Sequence, residues 1–323
     1  VEPLPDFQLL KPRSVAEAVT ARAASAHARF LAGGTDLLAN LRSGLIEVDT
    51  LIDLGAIPEL HRLGAHADGI RIGAGVTLEE LAAHPQVARD YPALAQAAAG
   101  VAGPTHRAVA TVGGNLCLDT RCRFYNQSEW WRAGNQHCLK LAGDTCRVAL
   151  KADRCYAAFS GDLAPALMVH GAIAEIAGAQ GRRELPLGEL YTDEGRAYLN
   201  LAPHELLVAL RLPAAGGLRS GYEKIRIRAA IDFPLTGVAV ALRRDGERVG
   251  ELCVAATGTE SRPLRFAGLE VLQGMTRDAA LVTLDKLIRK QLGMMETHLV
   301  SAGYRRRATL VVAKRLVQRL FAA

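Results

Sequence analysis

The chain has 323 residues, 50% hydrophobic and 22% charged, an ordinary globular composition at a length that suits two or three packed units. The 39 Lys and Arg exceed the 33 Asp and Glu for a net charge of +6, yet the arginines are scattered apart from Arg305, Arg306 and Arg307, a run that reads as a solvated helix face or subunit contact, so no nucleic-acid partner is expected. No apolar run approaches the roughly 18 residues of a membrane span, and "VEPLPDFQLLKPRS" has no basic segment followed by an apolar one, so a cytoplasmic protein without a membrane partner is expected.

In chain order, "SVAEAVTARAASA" opens a helix, with Ser14 and Glu17 spaced as a capping box. "ARFLAGGTDLLANLRSG" gives a short apolar run, a double glycine, and Thr35 and Asp36 placed to cap another helix; "DTLIDLG" reads as a strand. This first unit, residues 1–57, has a βαβ-like order. A second unit, 58–215, starts with "GIRIGAGVTLEELAAHP", a strand, a glycine turn and a helix capped by Thr77 with Glu80. It continues through the helical "YPALAQAAAGVAG" and the small-residue run "HRAVATVGGNLCL", and closes on the strand "ELLVALRLP". The glycines of "AAGGLRSG" mark a linker to a third unit, 216–323. There "GYEKIRIR" and "PLTGVAVALRRDGERVGELCVAATG", with Asp245-Gly246 as a hairpin turn, predict three antiparallel strands, accompanied by the helical "LVTLDKLIRKQL" and "ATLVVAKRLVQRLFAA".

The double glycines "AGGTD" and "VGGN" each follow an apolar, strand-like run. Glycine admits close approach of the backbone and leaves N–H groups free to face a pyrophosphate, so two such loops suit one diphosphate clamp. Each alone is no more than a tight turn. "GAG" at 73–75 lacks the third glycine of a nicotinamide-binding fingerprint, and no convincing acidic residue follows at the expected distance.

The motifs "FLAGGTDLLANLRSG", "IRIGAGVTLEEL", "ATVGGNL", "SGDLAPAL" and "GYEKIRIRAAIDFPLTGVAVAL", in that order, resemble the FAD-binding medium subunit of the molybdenum hydroxylases, as in carbon monoxide dehydrogenase and xanthine dehydrogenase. The resemblance covers the chain apart from one cysteine-rich segment. It implies an α+β fold, two FAD-binding subdomains followed by a C-terminal domain of three antiparallel strands and helices. It also implies that Ala32, Gly33, Gly34, Thr35 and Asp36, with Thr111, Gly113, Gly114 and Asn115, hold the FAD diphosphate. Asp162 would accept a hydrogen bond from a ribose or ribityl hydroxyl, and Lys224 would lie near the flavin ring. Read without the resemblance, Asp36 and Asp162 are equally good helix caps, and a strand lysine commonly faces solvent.

In the family "GGN" and "SGDL" lie close together, whereas here Asn115 and Asp162 stand 47 positions apart. An insert therefore spans about 119–158. It holds Cys122, Cys138, Cys146 and Cys155, with 15, 7 and 8 residues between them, while Cys117 lies just before it and Cys253 is remote. A reducing compartment disfavours disulfides, so metal ligation is the leading explanation. Four thiolates suit tetrahedral zinc or a cubane iron–sulfur cluster, and the absence of C-x2-4-C knuckles favours the cluster over zinc or unligated thiols. Phe124, Tyr125, Trp130, Trp131, Tyr156 and Phe159 are expected to build a small core around it.

Family and insert together imply a chain with FAD and a [4Fe-4S] cluster. Its partners would be a molybdenum-cofactor large subunit and a [2Fe-2S] small subunit, in a dimer of heterotrimers fed by a low-potential donor such as a ferredoxin. The insert is expected to bulge outward as an electron inlet. The alternatives are a hydroxylase subunit passing electrons from FAD to NAD or oxygen, and a zinc-stabilised binding module without enzymatic activity.

Overall fold

The computed structural model describes residues 3–67 and 69–322. Three sheets follow one another along the chain. The first is wholly parallel, order β1-β3-β2, from β1 (Gln8–Leu10), β2 (Ala28–Leu31) and β3 (Thr50–Asp53). Its crossovers are α1 (Val15–Ala23) and α2 (Leu37–Arg42). The Ser14 hydroxyl caps α1 by accepting the Glu17 amide at 3.2 Å, but the Glu17 carboxylate accepts the Arg13 amide at 2.9 Å, one residue earlier than a capping box requires.

The second sheet is antiparallel, order β4-β5-β8-β6-β7, from β4 (Leu63–His66), β5 (Gly69–Gly73), β6 (Ile173–Gly178), β7 (Gly181–Pro186) and β8 (Leu206–Leu212). Between β5 and β6 come α3 (Leu78–Ala83), α4 (Pro85–Asp90), α5 (Pro92–Gly100), α6 (Pro104–Arg107), α7 (Val112–Leu116), α8 (Glu129–Gly134) and α9 (Leu163–Met168). Thr77 and Glu80 form the full capping box of α3 that their spacing predicts. The second double glycine is a correction: it lies inside α7, and the run before it is α6 and a turn rather than a strand.

The third sheet, order β12-β11-β10-β9, comprises β9 (Arg219–Ile225), β10 (Thr236–Asp245), β11 (Arg248–Thr257) and β12 (Leu264–Arg265). It has four strands where three were expected, because Leu264 and Arg265 add a two-residue edge against Ala256 and Ala255. Asp245 pairs with Arg248 across the turn, where Gly246 takes φ +56°. Strict alternation along β10 gives the sheet two buried faces. Val238, Val240 and Leu242 pack under α10 (Arg277–Gln291) and α11 (Ala302–Ala322), while Ala239 and Ala241 join the core of the second unit. Each of those three larger side chains contributes about 1.5–3 kcal/mol of burial; the alanines let α5 and α9 sit close on the opposite face.

The insert is pinched at its base by paired hydrogen bonds between Arg121 and Ala158, at 2.8 and 2.7 Å. Beyond that bridge it is mostly turns plus α8. It is also anchored to the rest of the chain at three further points. Tyr125 packs on Leu45, the Arg123 amide donates to the Thr297 carbonyl at 2.8 Å, and the buried Arg132 guanidinium donates to the Gly44 and Ser43 carbonyls at 3.0 and 3.3 Å. The aromatic residues divide. Tyr125 is buried and Phe124 stacks on Trp131 at 6.3 Å, but Phe159 belongs to the main core beside Tyr191, and Trp130 is 85% exposed.

Candidate functional site: two cavities sharing a wall

A cavity of about 1340 Å³ opens where the three sheets meet. This exceeds the roughly 300–1,000 Å³ that suits drug-sized ligands and fits one of dinucleotide length. Ala32, Gly33, Gly34, Thr35 and Asp36 line it, as do Thr111, Gly113, Gly114, Asn115 and Asp162. Both double glycines and the "SGDL" aspartate therefore converge on one space. Lys224 is not on its wall; it stands behind Asp162.

The two glycine segments do different work. Among the described residues the amides of Gly33, Gly34, Thr35 and Asp36 have no hydrogen-bond partner, so the first loop presents open N–H donors. Gly34 needs its φ of +71°, and a Cβ on Gly33 would lie 2.0 Å from the Val109 carbonyl oxygen. In the second segment the donors are used internally. The Gly113 amide donates to the Ala74 carbonyl at 2.7 Å, the Gly114 amide to the Thr111 hydroxyl at 3.1 Å, and the Asn115 amide to the Thr111 carbonyl at 2.9 Å. Asn115 Oδ1 caps α9 by accepting the Leu163 amide at 3.0 Å. What this segment offers a ligand is close backbone approach rather than free amides.

Neither aspartate is a helix cap, although each sits at an N-cap position. Asp36 instead accepts from Asn40 at 2.9 Å and pairs with the Arg121 guanidinium. Burial pushes its carboxyl above the usual range, with Arg121 pulling it back. Asp162 accepts from the Tyr222 hydroxyl at 2.5 Å and lies 3.0 Å from Lys224 Nζ, so β9 is tied to the start of α9. Burial pushes this carboxyl up too, and Lys224 opposes it. Three buried polar atoms on the cavity wall lack partners among the described residues: Ser160 Oγ, His106 Nδ1 and Arg121 Nε. A polar ligand or water in the cavity would satisfy them. Ser160 stood in the quoted "SGDL" motif; Arg121 carried no signal beyond its place at the insert's start.

The second cavity, about 20 Å³, lies within the insert. Cys122, Cys138, Cys146 and Cys155 all line it, with apolar neighbours Phe124, Leu139, Val148 and Ala157. The first, third and fourth cysteines are buried and Cys138 is half-buried; none forms a disulfide. Burial pushes the Cys155 thiol up to about 11 and moves Cys122 in the same direction. Cys117 and Cys253 lie elsewhere. Cys117 lines the large cavity, with burial pushing it up to about 12, and Cys253 sits in β11 against Arg265. Among the described residues no three His, Cys, Asp or Glu side chains are gathered as ligands of a single metal ion. The four sulfurs instead stand around the cavity wall, and ligation by a multi-atom group requires that the wall open beyond its present volume. Tyr125 and Lys140 line both cavities.

A family model described as the FAD binding domain in molybdopterin dehydrogenase matches residues 5–215. The chain belongs to this family. Its relatives include the aldehyde oxidoreductase FAD-binding subunit PaoB of Escherichia coli K12, 34% identical across 76% of this chain and 80% of that one. Another is the carbon monoxide dehydrogenase medium chain of Hydrogenophaga pseudoflava, 28% identical across 82% and 78%. The solved structure of carbon monoxide dehydrogenase from that organism superposes over 99% of both chains with TM-score 0.81 at 24% identity, which establishes the shared fold. The family is one of FAD-binding chains, and the large cavity has room for a ligand of that length. Among the described residues no helix is long and apolar enough to cross a membrane.

Proposed function

We propose that this chain is an electron-transfer subunit that holds FAD in the large cavity and a [4Fe-4S] cluster on Cys122, Cys138, Cys146 and Cys155. The observation that carries this reading is that four cysteines from one insert line a single apolar cavity whose wall is also the wall of the flavin cavity. When bound, the two groups allow electrons to move singly between a cluster and a two-electron carrier. A tetrahedral zinc site needs four sulfurs about 2.3 Å from one point, whereas a cubane takes sulfurs spread around a wider wall, and the absence of any three ligands gathered around a single ion among the described residues supports the second. Family membership counts against a purely structural binding module.

This chain's residues divide the work. Ala32, Gly33, Gly34, Thr35 and Asp36 supply open amides for the diphosphate; Thr111, Gly113, Gly114 and Asn115 supply the close-fitting opposite side. Asp162 accepts from a sugar or ribityl hydroxyl, and Lys224, 3.0 Å away, opposes the upward push of burial on that carboxyl and adds positive charge behind the flavin. The segments 1–57, 58–215 and 216–323 act as two flavin subdomains and a C-terminal domain, with the insert at about 119–158.

Motifs and insert together resemble the β subunit of 4-hydroxybenzoyl-CoA reductase. On that reading the chain is cytoplasmic and sits in a dimer of heterotrimers with a molybdenum-cofactor large subunit and a [2Fe-2S] small subunit. Electrons from a ferredoxin-type donor run inward, and two electrons and two protons remove the phenolic hydroxyl as water on the partner. A second reading is favoured by the 34% identity to an aldehyde oxidoreductase subunit: an aldehyde is oxidised on the partner and electrons leave outward through FAD. The test is purification of the complex with iron, sulfide and flavin analysis, then turnover with reduced ferredoxin plus 4-hydroxybenzoyl-CoA against an aldehyde plus an electron acceptor. Four irons in addition to those of the partner's [2Fe-2S] clusters, and one acid-releasable FAD per chain, are expected, with turnover of the thioester. Iron no greater than the partner's [2Fe-2S] clusters account for, or zinc in this chain, overturns the cofactor reading; aldehyde turnover alone overturns the substrate.

A further inference from the structure

The wall between the cavities contains a buried cation that no sequence motif singled out. The Lys140 side chain is 5% exposed, and its three ammonium protons have three acceptors: Asp119 Oδ1 at 2.8 Å, Thr120 Oγ1 at 2.6 Å and the Gly195 carbonyl at 2.8 Å. The rings of Tyr125 and Tyr198 flank it at 4.9 and 5.7 Å. Such an arrangement holds the ammonium at one point, since any displacement would break a hydrogen bond and leave the buried group unpaired. On the cysteine side, Gly195 ties this point to Cys155. Its amide donates to the Cys155 carbonyl at 2.9 Å, and a Cβ at Gly195 would lie 2.9 Å from Cys155 Sγ. On the flavin side, Asp119 lines the large cavity and accepts from the Tyr125 hydroxyl at 3.3 Å.

A buried ion pair makes a weak case as a stability device, because desolvation cancels much of its attraction. Its placement suggests another use. Lys140 lines both cavities whereas Asp119 lines the large one and not the cysteine cavity, so the pair's positive end reaches the cysteine side and its negative end lies on the large-cavity side. In a region shielded from solvent, a fixed charge acts on a neighbouring redox group far more strongly than it would in water.

We propose that Lys140 is a fixed electrostatic positioning residue for both redox sites: with Asp119 it forms an oriented ion pair that favours negative charge on the cysteine side of the wall. It neither donates nor accepts a proton or electron. The inference rests on the cluster reading above, and the experiment separates the two. In the purified complex, iron and sulfide are counted first, and the cluster midpoint potential is then measured by dithionite titration monitored by electron paramagnetic resonance. Lys140→Met is expected to retain iron and to lower the equilibrium constant for cluster reduction about tenfold, a shift of about 59 mV for one electron. Asp119→Asn is expected to shift it in the opposite direction, and Lys140→Arg to stay near the parent value. Opposite signs are the signature that a merely structural role would not produce. Unmoved potentials, or shifts of the same sign, in iron-replete variants overturn the role of Lys140 and leave the cluster reading standing. If Lys140→Met fails to hold iron, the sign of the Asp119→Asn shift decides. Absence from the parent complex of any iron beyond that of the partner's [2Fe-2S] clusters removes both.

Discussion

The two cavities share a wall and are built on opposite principles. The flavin cavity is assembled from all three units, with residues as distant as Gly33 and Phe233, and its wide space is held open by packed sheets and helices. The cysteine cavity comes from one stretch of chain, is very small, and is supported by a few apolar side chains around Leu45 and Tyr125. The contrast teaches that the large cavity draws its shape from the whole fold, while the small one rests on one segment and a few side chains packed against it. On the cluster reading proposed above, metal binding and the final folding of that segment would be one process.

The largest effect should come from breaking the cysteine side alone. Serine at Cys122, Cys138, Cys146 or Cys155 should abolish the full iron complement while flavin content stays near one per chain, whereas Cys117→Ser and Cys253→Ser should leave iron unchanged. Iron, sulfide and flavin assays on each variant check this, and iron loss in Cys117→Ser with retention in Cys155→Ser would reverse the ligand assignment.

Next comes the large-cavity side. Gly33→Val places a side chain into the Val109 carbonyl, so flavin should be lost together with about 3 kcal/mol or more of stability, read by absorbance and urea unfolding. Full flavin in a stable Gly33→Val protein would mean that the first loop is not the rigid half of the clamp.

A comparable but reversible effect follows from acid. Burial depresses His170 to about 4, and its ring lies 3.0 Å from the Ser220 hydroxyl, joining the end of α9 to β9 behind the flavin cavity. A depressed histidine favours the neutral form in the fold. Its contribution is therefore complete above the unfolded value near 6.5 and is lost as pH falls from there toward 4, amounting to about 3 kcal/mol in all. Urea titrations at pH 7 and pH 4.5 should show this loss, and His170→Asn should flatten the pH dependence.

The smallest expected effect sharpens the division between the glycine segments. At Gly114 a Cβ would meet only the Thr111 hydroxyl, at 3.1 Å, so Gly114→Ala should fold normally and weaken flavin binding by about tenfold, or roughly 1.4 kcal/mol. Flavin titration of the stripped protein measures it. An unchanged affinity would show that the ligand does not approach this face closely.

Much of this was legible in the sequence because it is local. Ser14 and Thr77 cap where their spacing says they should, Asp245-Gly246 turns the hairpin, and the interrupted "GGN … SGDL" spacing exposes the insert. What stayed hidden depends on residues far apart in the chain. The Gly113 amide is used by Ala74, Arg121 reaches Asp36 across 85 positions, and Lys140 finds Gly195 across 55. Composition misled at Trp130: an aromatic within a cysteine-rich segment looks like core, but on the short α8 it is Trp131 that turns toward Phe124. Periodicity also could not show that the double glycine at 113–114 would be helical, since its support comes from the Thr111 side chain and the Ala74 carbonyl rather than from helix propensity.

Arg132 bears on how portable the insert is. Its guanidinium, 2% exposed, gathers carbonyls from Tyr125 and Gln127 within the insert and from Ser43 and Gly44 in the turn after α2, with Glu129 as its counter-ion. Grafted onto a relative whose α2 turn offers no matching carbonyls, the same cysteine-bearing segment would carry a buried, half-paired cation into its new host. A successful transplant has to move the turn around Gly44, with the supports at Gly195 and Thr297, along with residues 119–158, so much of what holds the cysteine pocket contains no cysteine at all.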